Sequence, residues 1–363
     1  MADNKLDKAR KIINDVDARM RELFIERMRA AELVAEYKME RGLPIYDSVR
    51  EDEVIRRNCE MVEDESIRSY YVNFLKNNMA VSRSYQAKIL GGMKVAYSGV
   101  EGAFAHIATE KLYPTATKVS YPDFSSAYRA VEDGECDIAV IPVENSYNGE
   151  VGQVIDLMFS GTLYVNGMYE LPISQDLLGI SGASIEDIKT VISHPQALGQ
   201  CASYIKKHKL ATMEYENTAL AAKHVAELAD PTVAAIASAE AAEIFGLTVL
   251  DHDINASRSN TTRFAVFSRV ANKRISAEPG IHSVLLFTVR NEAGALARAI
   301  DVIGSHGYNM RSLRSRPMKE LLWQYYFYVE IEGSIQNEVG QTMMEELGEF
   351  CDRLKFAGTY IKL

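Results

Sequence analysis

Long apolar runs are missing from this chain. None approaches the roughly 20 residues of a membrane-spanning helix, and Met1–Arg10 is polar and charged, so no secretory signal is visible and no membrane partner is expected. Cysteine is scarce as well. Cys59, Cys136, Cys201 and Cys351 are scattered, with neither the spacing of a metal site nor the density of a disulfide framework. That usage suits a reduced cytosol, and a cytoplasmic location is expected. Positive charge is in deficit: 40 Lys and Arg against 50 Asp and Glu give a formal net charge of -10. Nucleic acid is therefore not expected as the main partner. Anionic metabolites stay open, because a pocket can be locally positive on an acidic protein. Gly99-Val100-Glu101-Gly102 is too loose for a dinucleotide fingerprint, and the sequence has no phosphate-binding loop.

What is present divides into segments of different pattern. With 363 residues, 47% of them hydrophobic and 25% charged, the chain should form two or three compact units. Residues 6–90 read as nearly all helix, with Pro44 in the break Arg41-Gly42-Leu43-Pro44. The first helix carries an apolar stripe through Ile13, Met20, Phe24, Ala31 and Val34. Arg10, Arg27 and Lys38 fall on the same stripe. Cations facing a core are costly unless paired, so this face should meet an anion; the plainer alternative is that their long stems reach to water. Arg27 and Lys38 are about three turns apart, roughly 16 Å, which two inward-leaning side chains can close around one small ligand. Arg10 is roughly 25 Å from Arg27, too far for the same ligand. If Arg10 binds it, it comes from a second copy, and an intertwined antiparallel dimer follows. A second helix beginning near Asp47 can place Asp47, Arg50 and Glu51 on one face. The third has a stripe of Phe74, Leu75 and Met79 continued by Ser82 and Gln86, polar groups that need partners if buried.

This constellation resembles the all-helical chorismate mutase family. The resemblance implies a pocket of Arg27, Lys38, Asp47, Arg50, Glu51, Ser82 and Gln86, with Arg10 from the partner subunit. Rearranging chorismate to prephenate needs no nucleophile and no acid–base relay. It needs a dicarboxylate held in a reactive chair and charge stabilised on the ether oxygen. The resemblance gives Arg10 and Arg27 the carboxylates, and Lys38 and Gln86 the ether oxygen. Glu51 and the Asp47 region meet the ring hydroxyl, while Arg50 and Ser82 support the geometry.

After the linker Gly91-Gly92 the pattern alternates between strands and helices. Strands are expected at Lys94–Tyr97, Ile138–Val143, Thr190–Ile192 and Val233–Ile236, and helices at Val151–Phe159 and Ala219–Leu228, giving two α/β lobes with a cleft between them. Ser259-Asn260-Thr261-Thr262-Arg263-Phe264 enters the apolar run Ala265-Val266-Phe267. Hydroxyls, an amide and a guanidinium at a strand mouth can hold a small anion, although a polar turn entering a strand explains the spacing too. His194 is a structural histidine or a general base. Glu144, at a strand end, is a catalytic candidate or a helix cap.

Tyr97-Ser98-Gly99 with Gly102-Ala103-Phe104, Pro142-Val143-Glu144-Asn145-Ser146, Ser193-His194-Pro195-Gln196 and Thr262-Arg263-Phe264 follow the order found in prephenate dehydratases, which this segment resembles over about residues 93–270. The reaction so implied expels carbon dioxide and the ring hydroxyl to give phenylpyruvate. Help to the departing hydroxyl is what an enzyme can add. Threonine is a feeble acid alone, so Thr262 is expected as a donor within a polarised network, with Glu144, Asn145 and Arg263 positioning the substrate or tuning that network.

Residues 271–280, with Asn272, Lys273, Arg274, Pro279 and Gly280, read as a linker. The segment from 281 to 363 has a β-α-β-β-α-β pattern ending in a short strand at Lys355–Ala357. Gly294-Ala295-Leu296 and Arg314-Ser315-Arg316-Pro317 resemble the phenylalanine-sensing ACT domain, which implies an L-phenylalanine site built from Gly294, Ala295, Leu296, Asn309, Ser315, Arg316 and Pro317. One position departs: that family usually has glutamate where this chain has Arg314. The expected fold is thus multidomain: an all-α unit at 1–91, a two-lobed α/β unit at 93–270 and an α+β ferredoxin-like unit at 281–363. The expected ligands are chorismate, prephenate and L-phenylalanine, with no metal or redox cofactor, in a homodimer or dimer of dimers. The alternatives are an arogenate dehydratase and a non-catalytic two-lobed amino-acid sensor.

Overall fold

A computed structural model describes all residues except 1, 44, 46, 257–259, 274–279 and 319–323, and gives no side-chain placement for residues 2–4, 48 and 84. Pro44, Ser259, Arg274 and Pro279 of the segments read above therefore lie outside the described residues. The chain divides into two compact units, residues 1–93 with 115–117, and residues 94–114 with 118–363.

The first unit is helical: α1 (Ala2–Arg41), α2 (Ser48–Glu60) and α3 (Glu65–Leu90). Asp47 caps α2 and Asp64 caps α3 through side-chain bonds to backbone amides of the first turn. On α3 the expected stripe is buried at Leu75, Met79, Ser82 and Gln86, while Phe74 is exposed. The α1 stripe behaves differently. Ala31 is buried, but Ile13, Met20, Phe24 and Val34 face solvent, as do Leu6, Ile12 and Leu23. Within one chain the inward-facing stripe is thus confined to the C-terminal part of α1. Two shorter helices do not present enough surface to cover the rest.

The second unit begins with alternating elements: β1 (Lys94–Ser98), α4 (Phe104–Leu112), β2 (Thr117–Tyr121), α5 (Phe124–Glu132), β3 (Ile138–Asn145), β4 (Gly149–Glu150), α6 (Gly152–Ser160) and β5 (Tyr164–Pro172). The chain then crosses into a second lobe of β6 (Asp176–Gly179), β7 (Thr190–Ser193), α7 (Pro195–Gln200), α8 (Ala202–His208), β8 (Ala211–Glu214), α9 (Thr218–Leu228), β9 (Val233–Ala237), α10 (Ala239–Phe245) and β10 (Thr248–Asp251). Those strands form one sheet in the order β10-β6-β9-β7-β8, with a core on each face. Asn217 and Ser238 cap α9 and α10, as their positions after a strand suggest. The chain returns as β11 (Thr261–Ser268), which lies antiparallel between β3 and β5. The expected two lobes are present, and β11 is the central return strand of the first.

The C-terminal segment is β12 (Ile281–Val289), α11 (Ala295–Ser305), β13 (Met310–Pro317), β14 (Tyr325–Glu332), α12 (Glu338–Phe350) and β15 (Cys351–Lys362). β15 is much longer than the short strand expected at Lys355–Ala357. The ladder to β12 takes in Arg353 and Gly358 and continues at both ends with register shifts. The far end of β15 then pairs parallel with β5. One sheet therefore runs in the order β13-β14-β12-β15-β5-β11-β3-β1-β2, its β15–β5 pairing joining strands from the two sides of the expected linker. β12 explains why. Its Leu285 and Phe287 pack under α11 and α12, while Val284 and Leu286 pack with Ile141, Met158, Ala265 and Phe267 of the first lobe. A strand with apolar residues at both parities needs a cover on both faces.

Lys355 joins these layers, donating to the carbonyls of Met158 and Gly161 at the C-terminal end of α6, where a cation also suits the helix dipole. Burial, with Arg353 nearby, pulls its ammonium down from 10.5 to about 8. Between those values the unfolded chain holds a proton that the folded chain has released, so this group makes stability rise with pH across that window. Lys355→Met should abolish the rise. Urea unfolding of both chains at pH roughly 7.5 and 9.5 checks it, and the stability of the wild type relative to the variant should be greater at the higher pH.

Candidate functional site

In the helical unit Arg27 reaches from α1 to α3. Its Nη1 donates to the Asn78 carbonyl at 3.2 Å and contacts the Ser82 hydroxyl. Burial lowers the affinity of this guanidinium for its proton. Glu32 meets Tyr85 one turn further on, so α1 and α3 run parallel here and Gln86 lies on the Lys38 side of Ser82. Gln86 is buried, and its Oε1 has no hydrogen-bond partner among the described residues. Lys38 donates to the Ile45 carbonyl, and Asp47 accepts from the Arg50 amide at 3.1 Å. Glu51 pairs with Arg83, which sits one position beyond Ser82 and off the apolar stripe of α3. Arg50 stands apart, and so does Arg10, as expected of a residue supplied to a second copy. Arg50 is exposed and paired with Glu53 at 2.6 Å, and Arg10 is exposed with Asp7 at 3.9 Å. The eight polar positions therefore do not all line one cavity in a single chain.

In the larger unit, β3 and β11 bring the four expected residues into contact as two pairs, Asn145 with Thr262 and Glu144 with Arg263. Thr262 stands opposite Asn145 in the ladder, and Asn145 Nδ2 donates to Thr262 Oγ1 at 2.9 Å and to Asn260 Oδ1 at 2.8 Å. Asn145 Oδ1 accepts from the amides of Tyr147 and Asn148, both at 3.0 Å, which fixes the amide orientation. Thr262 thus receives a hydrogen bond on its oxygen, leaving its own proton to be donated outward. Asn260, buried, links this cluster to Gln200 of the second lobe at 3.4 Å. Sequence spacing did not single out Gln200, which lies outside every motif quoted above. His194 caps α7, its Nδ1 accepting from the Gln196 amide at 3.2 Å. That is its structural role here.

Glu144 and Arg263 face the other way. Successive residues of a strand alternate between faces, so the neighbours of Asn145 and Thr262 turn toward the C-terminal strands. Arg263 pairs with Glu144 at 3.0 Å, holds Glu330 through both terminal nitrogens at 3.0–3.2 Å, and donates to Tyr360 Oη at 2.9 Å. Burial pushes the Glu330 carboxyl up, but Arg263 and Tyr360 outweigh it and leave its pKa below the usual range. Burial likewise opposes the charge on Arg263, and Glu330 more than offsets it. Arg314 contacts Glu144 and lies 3.5 Å from Glu150. Arg316, expected in an amino-acid site, is held by Glu150 at 2.8 Å and Asp156 at 2.9 Å. Gly152 makes room for it, since a Cβ there would come within 2.1 Å of Nη1. Ser315 and Pro317 lie exposed on the opposite face of β13.

The remaining expected effector residues also separate. β12 and β13 are both antiparallel to β14, so Gly294, Ala295 and Leu296 follow the same sheet edge at which Ser315 and Pro317 lie. Asn309 precedes β13 and is at the opposite edge, bonded to Glu332 at 3.0 Å. A cavity of about 430 Å³ lies between the lobes, lined by Phe104, Lys111, Leu171, Pro172, Ser174 and Ser238 among others. None of the expected dehydration residues lines it, although Leu171 and Pro172 are the ladder partners of Thr262 and Thr261.

A family model described as prephenate dehydratase matches residues 95–272, and one described as chorismate mutase type II matches residues 9–87. An Aquifex aeolicus protein named bifunctional chorismate mutase/prephenate dehydratase is 32% identical over 99% of this chain and 98% of its own length. An Arabidopsis thaliana protein named arogenate dehydratase/prephenate dehydratase 2 is 34% identical over 74% of this chain and 72% of its own. The solved structure of an Arthrobacter aurescens prephenate dehydratase in complex with L-Phe is 26% identical, with a TM-score of 0.68, covering 74% of this chain and 90% of that one.

The buried ion pair gives a direct test of what holds the C-terminal strands in place. Glu330→Gln keeps the shape and removes the charge that Arg263 and Tyr360 are arranged around. Losing one partner of a buried pair should lower stability by about 3 to 5 kcal/mol. Denaturant titration, read at the transition of the larger unit, measures the loss.

Proposed function

The chain belongs to the bifunctional chorismate mutase/prephenate dehydratase family, and we propose that its helical unit rearranges chorismate to prephenate while its α/β unit converts prephenate to phenylpyruvate, carbon dioxide and water. In the first reaction the bonds break and form within the substrate, so the protein contributes conformational restraint and charge stabilisation. Arg27 holds a carboxylate; the Ser82 contact aims it. Lys38 and Gln86 donate to the ether oxygen. The unpartnered Oε1 of Gln86 is an acceptor, so the donation to the ether oxygen falls to its Nε2. Glu51 and the Asp47 region take the ring hydroxyl.

The observation that carries the dehydratase assignment is the Asn145–Thr262 hydrogen bond. As the carboxylate leaves as carbon dioxide, its bonding electrons enter the ring and expel the hydroxyl at the far position. Thr262, polarised by Asn145, donates to that departing oxygen, which leaves as water. Glu144 and Arg263 act from the other face, holding the two strands in register. We assign the two catalytic segments to residues 1–91 and 93–270, and residues 281–363 to a ferredoxin-like ACT domain that takes L-phenylalanine. Its element order and the strand order β13-β14-β12-β15 support this, as does the relative solved with L-Phe. Gly294, Ala295, Leu296, Ser315 and Pro317 share one edge; Asn309 and Arg316 join the effector site only through a second chain or a rearrangement. A second reading, arogenate dehydratase, is favoured by the name of the Arabidopsis relative. Comparing turnover of prephenate with that of its amino analogue separates the two.

The exposed α1 stripe supports a dimer in which α1 of a second chain covers it and supplies Arg10. Exposed side chains of this size are a strong drive to association. Mixing Arg10→Ala and Arg27→Ala chains under subunit exchange should rebuild one intact mutase site per mixed dimer; mixtures as inactive as either parent would exclude the shared site.

The two activities should also be separable. Lys38→Ala should lose roughly 3 kcal/mol or more of transition-state stabilisation in the mutase and leave prephenate turnover intact. Thr262→Ala should do the reverse, and Thr262→Ser should keep part of the dehydratase rate. Separate assays started from chorismate and from prephenate read both. Equal loss of both activities in either folded variant would sink the assignment.

A further inference from the structure

Arg314 is the one described group that joins both strands of the hairpin carrying Asn145. That hairpin is β3 and β4, with Glu144 opposite Glu150 and Asn145 opposite Gly149. Side chains of β13 alternate, so Arg314 and Arg316 share the face turned toward it. Arg314 Nη2 contacts Glu144 on β3, and its Nη1 lies 3.5 Å from Glu150 on β4. The other partners of these carboxylates are already engaged. Arg263 holds Glu144 but also grips Glu330 through both terminal nitrogens, and Arg316 holds Glu150 but is also bound to Asp156. Glu144 and Glu150 are themselves cross-strand neighbours, and like charges directly opposite one another repel. Arg314 is the cation between them. All of these side chains are about three-quarters buried or more, so water screens the repulsion weakly.

We propose that Arg314 is a positioning residue for the dehydration. By bridging Glu144 and Glu150 it holds the hairpin closed, and the closed hairpin presents Asn145 to Thr262. The inference rests on the reading of Asn145 and Thr262 as the proton-donating pair. A donor displaced by an ångström or less slows the chemical step without altering how substrate is held. The effect should therefore fall on kcat rather than on KM. Because β13 belongs to the C-terminal segment, the same contact makes the dehydration rate depend on where that strand sits.

The test is a charge series in the full chain. Arg314→Lys keeps a cation that can reach one carboxylate, Arg314→Gln removes the charge, and Arg314→Glu adds a third carboxylate to the pair. Prephenate kcat should fall in that order, with the glutamine chain down roughly tenfold to a hundredfold, KM within about threefold, and mutase activity of the same preparations unchanged. Adding Glu150→Lys to Arg314→Glu puts a cation back between the carboxylates and should recover much of the lost kcat, which a general loss of folding would not allow. The proposal is overturned if all three single variants turn over prephenate within about twofold of wild type. It is also overturned if the double variant stays as slow as Arg314→Glu. Should the glutamate chain fail to fold, the lysine and glutamine chains still decide by their kcat-to-KM split. Failure of the underlying reading shows separately: Asn145→Ala would then keep the wild-type kcat, and Arg314 could not be acting through that hydrogen bond.

Discussion

A carboxylate taken out of water must be met by a cation, and in this chain the need falls on Glu330, whose side chain is 1% exposed. Arg263 meets it with two nitrogens and reaches it only if β11 of the first lobe and β14 of the C-terminal segment come together. Tyr360 on β15 closes the same contact. From that pairing follow the continuous sheet, the two-sided burial of β12 and the turning of Arg314 and Arg316 onto carboxylates of β3, β4 and α6. Arg263 is the residue beside Thr262. The ion pair that fastens the C-terminal strands thus sits one position from the group assigned to donate the proton.

Strand parity keeps those two tasks apart. On the face of β11 and β3 that carries Thr262 and Asn145, polar groups are few, oriented and half-buried. On the opposite face Arg263 and Glu144 are committed to ion pairs. A site placed on strands takes its first alignment from the ladder, which puts Asn145 opposite Thr262. The arrangement also means that a disturbance of the charged face reaches the polar face through a single residue step.

The helical unit meets its constraint differently. Its polar residues gather at the C-terminal part of α1 and along α3, where Ala31, Leu75 and Met79 are buried around them. The N-terminal half of α1 is exposed along its described length. A long helix with exposed apolar side chains along its N-terminal half, Arg10 near one end and Arg27 and Lys38 toward the other, is suited to sharing a site between two copies.

Much of this was written locally and could be read locally. Helical periodicity marked Leu75, Met79, Ser82 and Gln86 as one buried face, and Asn217 and Ser238 announced the helices they cap. Thr262, Asn145 and their neighbours stood out through motif resemblance, since a polar turn entering a strand has the same spacing. What no local pattern contained was the partner of each face. Glu330 read as an ordinary strand residue, Tyr360 lay beyond the short strand expected at Lys355–Ala357, Arg316 read as part of an effector site and Arg314 as a departure from its motif. Short-range sterics and side-chain period are properties of neighbours along the chain, so the sequence alone determined the elements, their caps and the candidate chemistry. Which face of β11 meets which face of β14, and whether one α1 stripe is covered by its own chain, depend on contacts between residues far apart in sequence. Only the tertiary structure decided those, because a buried charge selects its partner by where the fold can bring one.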